Sequence, residues 1–194
     1  MKNSKLKNSI IALCEAAMTV ALAQVLSYIK LWEMPWGGSI VLSMVPLVLF
    51  AVRWGLWRGL SAGFVFGVLQ FMLDGGFAIS WQSIVGDYLV AFTVIGLAGL
   101  CFRRKYGVFI GTVIAGGARF LVHYVVGATV WAEYMPETFF GMTMTTPWFY
   151  SALYNIAYMG PNIIITLAVF ALLYRPLKKF MTGGDLKGPS EVQG

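Results

Sequence analysis

The segment RFLVHYVVGATVW, residues 119 to 131, carries Arg119, His123, Gly127 and Trp131, each four residues from the next, in an otherwise apolar run. Residues four apart on a helix lie one above another, so the spacing gathers a cation, an imidazole, a gap and an indole into one stripe. A second apolar run holds a carboxylate beside a phenol, Asp87-Tyr88, and a third holds Tyr150, Tyr154 and Asn155. A carboxylate, an imidazole, an amide and aromatic faces make a pocket suited to a flat, cationic heteroaromatic molecule. Cation–π contact with a desolvated indole or phenol contributes about 2 kcal/mol. A plainer reading stands beside this one. Asp87 and His123 also suit a direct pair that ties two helices together, and Trp and Tyr are enriched at both faces of membrane proteins in general.

Whatever positions these groups must be mostly apolar helix. Of 194 residues, 59% are hydrophobic and 11% charged, with mean hydropathy +0.76, whereas an average soluble domain is about 25% charged. The chain therefore reads as an all-α integral membrane protein rather than a closed barrel, whose strands would alternate. Apolar runs at roughly 8–29, 39–53, 57–74, 81–102, 107–131 and 147–174 give six transmembrane helices, each crossing needing about 20 residues. The second is short and contains Pro46, with Ser39 as its expected N-cap. A single domain covers 1–181, and the polar, Gly-containing segment 182–194 reads as a flexible tail.

The net charge of +6 is a topology signal rather than a mark of nucleic-acid binding. Lys2, Lys5, Lys7, Arg53, Arg58, Arg103, Arg104, Lys105, Arg175, Lys178, Lys179 and Lys187 occupy alternate gaps between runs. The positive-inside rule then places both termini in the cytoplasm of a multi-pass cell-membrane protein. The first run continues past the signal-like Ala21-Leu22-Ala23 and reads as a retained helix. Cys14 and Cys101 fall near cytoplasmic ends, where neither a disulfide nor a metal site is expected.

With orientation set, depth follows from the helical rise of about 1.5 Å per residue. Asp87 then lies roughly 9 Å, His123 roughly 12 Å, and Tyr154 and Asn155 roughly 10 Å below the outer boundary. Three separate helices thus bring their strongest polar groups to one level, where ionisable residues ordinarily face a cavity. Arg119, one turn deeper, is a supporting candidate for an anionic part of a ligand. Glu15 reads as a solvated group near the cytoplasmic end of the first helix. The outer loops KLWEMPWGGSI and AEYMPETFFGMTMTT are aromatic, and Gly-Gly beside Trp36 suits a close lid. No Walker phosphate loop, metal spacing or nucleophile motif is present, so no enzyme activity, metal or cofactor is expected.

WEMPWGGSI, GDYLVAF, RFLVHYVVGATVW and YSALYNIAYMGPN, in that order, resemble the thiamine-specific S-component of energy-coupling-factor transporters over nearly the whole chain. The resemblance implies a bacterial membrane subunit that captures thiamine from outside. Import would require a transmembrane coupling protein and two ATPases, which would hydrolyse the ATP. It also implies ligand contacts at Trp36, Asp87, Tyr88, His123, Gly127, Trp131, Tyr150 and Asn155, to which the residue reading adds Tyr154. The family commonly has glutamate at the position of Asp87, and aspartate is one methylene shorter, leaving direct contact with ligand open. Family docking on the coupling protein uses small residues of the first helix, here Ala17 and Ala21, although small-xxx-small spacing serves internal packing equally well. The alternative function is a self-contained proton-coupled carrier using Asp87 and His123 as a relay.

Overall fold

A computed structural model describes residues 2–35, 37–73 and 78–186, with the side chains of 2–5 left aside. Six helices run α1 (Lys2–Tyr28), α2 (Met44–Trp54), α3 (Leu56–Leu73), α4 (Trp81–Cys101), α5 (Gly107–Thr129) and α6 (Pro147–Met181). Two short hairpins cross between helices on the outer side: β1 (Trp32–Glu33) with β2 (Ser39–Ile40), and β3 (Thr138–Phe139) with β4 (Met142–Thr143).

All but α2 are long and apolar enough to cross a membrane. At 11 residues, α2 reaches only about 16 Å, well short of a bilayer core. It compensates by lying inside protein: it packs against all five other helices and buries nine of its residues, including Pro46, Val48 and Phe50. Its start also differs from expectation. Ser39 pairs within the first hairpin instead of capping a helix, because Asn162 of α6 takes up the neighbouring backbone. Val41 N donates to Asn162 Oδ1 at 2.9 Å and Asn162 Nδ2 donates to Ser39 O at 2.8 Å. Ser43 becomes the N-cap residue of α2.

The helix that carries Asp87 is held by a seam absent from the sequence reading. Gly59, Gly63 and Gly67 recur every fourth residue on α3, and a Cβ on any of them would strike α2 or the backbone of α4; at Gly67 it would lie 2.6 Å from Tyr88 O. Opposite them, a Cβ on Gly96 would meet the backbone at Gly59 and Leu60. Small residues at this spacing let two helices pack backbone to backbone. α4 is itself irregular, with π-helical winding over Ile84–Val90 and 3₁₀ winding over Val94–Cys101. Asp87 stands in the π-helical stretch, a form that recurs at functional sites.

The last helix begins where Thr146 caps it, its Oγ1 accepting from Phe149 N at 3.1 Å, with Pro147 in the first turn. It then runs beyond the expected 174, through Pro176, to Met181. Residues 182–186, read from sequence as the start of a tail, turn back onto the bundle. There Asp185 meets Arg53, which is 1% exposed. Residues 187–194 lie outside the described residues.

Arg53 also corrects the reading of Glu15. Instead of facing solvent, the Glu15 carboxylate receives Arg53 Nε at 2.7 Å, Arg53 Nη2 at 2.9 Å and Trp54 Nε1 at 2.6 Å. Two turns of apolar sequence on either side had hidden a partner 38 positions away.

Candidate ligand-binding site

The irregular winding of α4 points Asp87 toward α5, and its carboxylate gathers three donors, from α5, from the residues just after it and from α4 itself. Oδ1 lies 2.9 Å from His123 Nδ1, and Oδ2 accepts Trp131 Nε1 at 2.9 Å and Ser83 Oγ at 3.1 Å. An ionised carboxylate only accepts, so the His123 proton sits on Nδ1 in this arrangement and Nε2 presents its lone pair. That Nε2 atom is buried without a hydrogen-bond partner. Asp87 thus sets both the imidazole tautomer and the angle of the indole.

The third helix joins through Asn155, whose Nδ2 donates to His123 O at 3.3 Å and to Ser151 O at 2.8 Å, while its Oδ1 accepts Tyr158 OH at 2.7 Å. The common depth expected for Asp87, His123 and Asn155 is therefore a physical network across α4, α5 and α6.

Beside it lies a cavity of about 140 Å³, roughly ten times the space one enclosed water needs. Asp87, Tyr88, Arg119, His123 and Trp131 line one side, and Tyr150, Tyr154 and Asn155 line the other. The α6 tyrosines form a ladder at i, i+4 and i+8: ring centroids are 5.7 Å apart for Tyr150–Tyr154 and 6.0 Å for Tyr154–Tyr158. Both outer loops reach it. Phe139 of the second hairpin meets Tyr150 edge-on at 5.3 Å. Gly38 of the first loop lies so close to Tyr158 that an added Cβ would be 2.6 Å from its ring, and Gly38 N points to Tyr154 OH at 3.5 Å. Glycine is what permits that approach.

Gly127 packs against α6 beside the cavity: a Cβ there would collide with Ser151 Oγ, and Ser151 and Asn155 themselves line the cavity. At 3.6 residues per turn, each step of four drifts by about 40°, and two steps from Arg119 bring the stripe round toward the neighbouring helix. Trp36 lies outside the described residues. Tyr158, Ser151, Ser83 and Phe139 were missed. The tyrosine was accessible in principle as the third member of the Tyr150–Tyr154 spacing, whereas the serines carry no sequence signal.

Comparison with known proteins bears on what this cavity belongs to. Residues 13–182 match the family model described as thiamine transporter protein. The chain belongs to that family. Its relatives include the thiamine transporter ThiT of Bacillus subtilis, 31% identical over 185 residues that cover 85% of this chain and 91% of the relative. A second, ThiT of Lacticaseibacillus paracasei, is 26% identical over 92% of this chain and 94% of its own length. The solved structure of ThiT from Listeria monocytogenes superposes with a TM-score of 0.78 at 24% identity, covering 90% of this chain and 98% of that one, which establishes the shared fold. Family membership and the apolar helices together make this a multi-pass bacterial membrane protein.

Proposed function

We propose that the chain is the high-affinity thiamine-binding S-component of an energy-coupling-factor transporter, taking the vitamin from outside for import by a coupling protein and two ATPases that hydrolyse the ATP. The observation that carries this is the aromatic cavity with one carboxylate, Asp87, whose neighbours are all hydrogen-bond donors and whose charge no cation within the described residues neutralises by direct contact. A thiazolium ring supplies that cation, and Tyr88, Trp131 and the α6 tyrosines offer faces for it and for the pyrimidine. His123 Nε2 suits the pyrimidine amine as an acceptor, and the amide of Asn155 suits the ring edge. That two relatives are thiamine transporters supports the choice of vitamin.

Docking on a coupling protein is assigned to α1. Ala17 and Ala21 are exposed and line an apolar groove between α1 and α3 with Val20, Trp57 and Val65. Their exposure favours an external partner over internal packing.

Thiamine added to the purified chain, without nucleotide, should quench tryptophan emission and release calorimetric heat with nanomolar-to-micromolar affinity. A silent titration in both channels removes the vitamin assignment. Ala17→Leu with Ala21→Leu should leave that titration intact and abolish uptake in membranes that contain the ATPase complex. Uptake by the chain reconstituted alone would instead favour the proton-coupled carrier, for which the Asp87–His123 contact supplies a relay.

A further inference from the structure

We propose that Arg119 is the residue by which this pocket recognises an oxyanion carried on its cationic ligand, a phosphate ester on the thiazolium side chain being the chemistry that fits. The assignment rests on the thiamine reading above and adds a specificity element to it.

Two arginines are buried in this bundle, and they are used differently. Arg53 has its donors on carboxylates and a backbone carbonyl. Arg119 is 7% exposed, and neither Nε nor Nη1 has a hydrogen-bond partner. The Phe92 ring covers it, with its centroid 4.4 Å from Cζ. A ring face answers the charge but accepts no hydrogen bond along the plane of the guanidinium. Burying a charged donor set in this state is costly unless something supplies acceptors. Arg119 lines the cavity, so a ligand can supply them.

The placement of the charges says what kind of ligand does so. Asp87 is tied to His123, and Arg119 stands one helical turn, about 6 Å, further along α5. The cavity wall therefore runs from negative to positive with depth. A ligand that is only cationic gains from Asp87 and is opposed by Arg119. One that carries a cationic ring followed by a phosphate meets an opposite charge at each level. Guanidinium is suited to the second contact because its planar donors match phosphate oxygens.

The test uses the intact chain in detergent or nanodiscs and two probes, thiamine and thiamine monophosphate, titrated calorimetrically. Wild-type protein should bind the monophosphate at least as tightly as thiamine. Arg119→Gln should reverse the order: loss of the buried cation tightens thiamine severalfold while the monophosphate weakens by thirtyfold or more. Arg119→Lys, which keeps the charge, should retain the wild-type order. The assignment is overturned if wild type binds the monophosphate a hundredfold more weakly than thiamine, a comparison that needs no variant to fold. It is also overturned if Arg119→Gln shifts both affinities by the same factor. Wild-type protein that binds neither compound refutes the thiamine reading and this assignment with it, a result distinct from the other two.

Discussion

At the cytoplasmic end of the bundle every N–H of Arg53 meets an acceptor, whereas at the outer end Arg119 Nε and Nη1 and His123 Nε2 meet none. The five donors of a guanidinium go to Glu15 of α1, to Asp185 beyond α6 and to the Phe180 carbonyl, at 2.7–2.9 Å. The Phe180 ring covers the guanidinium face, with its centroid 3.6 Å from Cζ. That cluster closes on itself and joins α1, α2 and the segment after α6. The outer cluster stays open: Asp87 holds His123 and Trp131 in place, and the groups it positions have capacity left over. Both are charges inside an apolar protein, and the satisfaction of their hydrogen bonds separates a structural clamp from a site prepared for a ligand.

If this division is right, damage at the two ends should register in different measurements. The largest effect belongs to the clamp. Arg53→Met leaves Glu15 and Asp185 facing each other without their cation, and unfolding followed in detergent should show a loss of about 3 kcal/mol, the range for removing one partner of a buried pair. A loss below about 0.5 kcal/mol would put these contacts with ordinary surface pairs and would erase the contrast drawn here.

A smaller effect sharpens the same point through pH. The Arg53 hydrogen bonds and charge hold the Asp185 carboxyl below its ordinary value. A depressed folded-state pKa contributes stability that is fully present above the unfolded value, about 3.9, and is lost as pH falls through the lower folded value. Melting temperatures between pH 6 and pH 3 should therefore fall more steeply for wild type than for Asp185→Asn, with the two curves converging in acid. Parallel curves would mean that Asp185 is not engaged in solution.

The two ends also differ in how far the sequence discloses them. The outer cluster was legible because each of its helices is long, apolar and punctuated by one or two polar groups whose depth can be counted from a helix end. Asp87, Tyr88, Arg119, His123, Trp131, Tyr150, Tyr154 and Asn155 all line the cavity that such counting implies. Depth says nothing of azimuth, so counting did not disclose that Gly127 packs against Ser151 of α6. The clamp was illegible for a different reason. Arg53 reads as a flanking topology charge, Glu15 as a solvated end and Asp185 as part of a polar tail; only the fold brings the three together. The glycine seam of α3 was not read from the sequence, since small-residue spacing does not name the helix it faces. The late start of α2 was likewise hidden, because Asn162, more than 120 positions from Ser39, fixes it.

The central claim is that Asp87 recognises the positive charge of thiamine, and a two-by-two cycle isolates that contact. Wild type and Asp87→Asn are each titrated calorimetrically with thiamine and with an analogue whose thiazolium is replaced by a neutral ring of the same shape. Asparagine keeps much of the size and an acceptor for His123 or Trp131, so losses common to both ligands cancel and the remainder is the pairing of one charge with the other. The account predicts that thiamine loses about 1.5–3 kcal/mol of affinity on substitution, the scale of a hydrogen bond to a charged group. The neutral analogue, weaker to begin with, should lose far less, while melting without ligand stays close to wild type. Equal losses for the two ligands, or none, would mean that Asp87 serves only to hold α4 against α5.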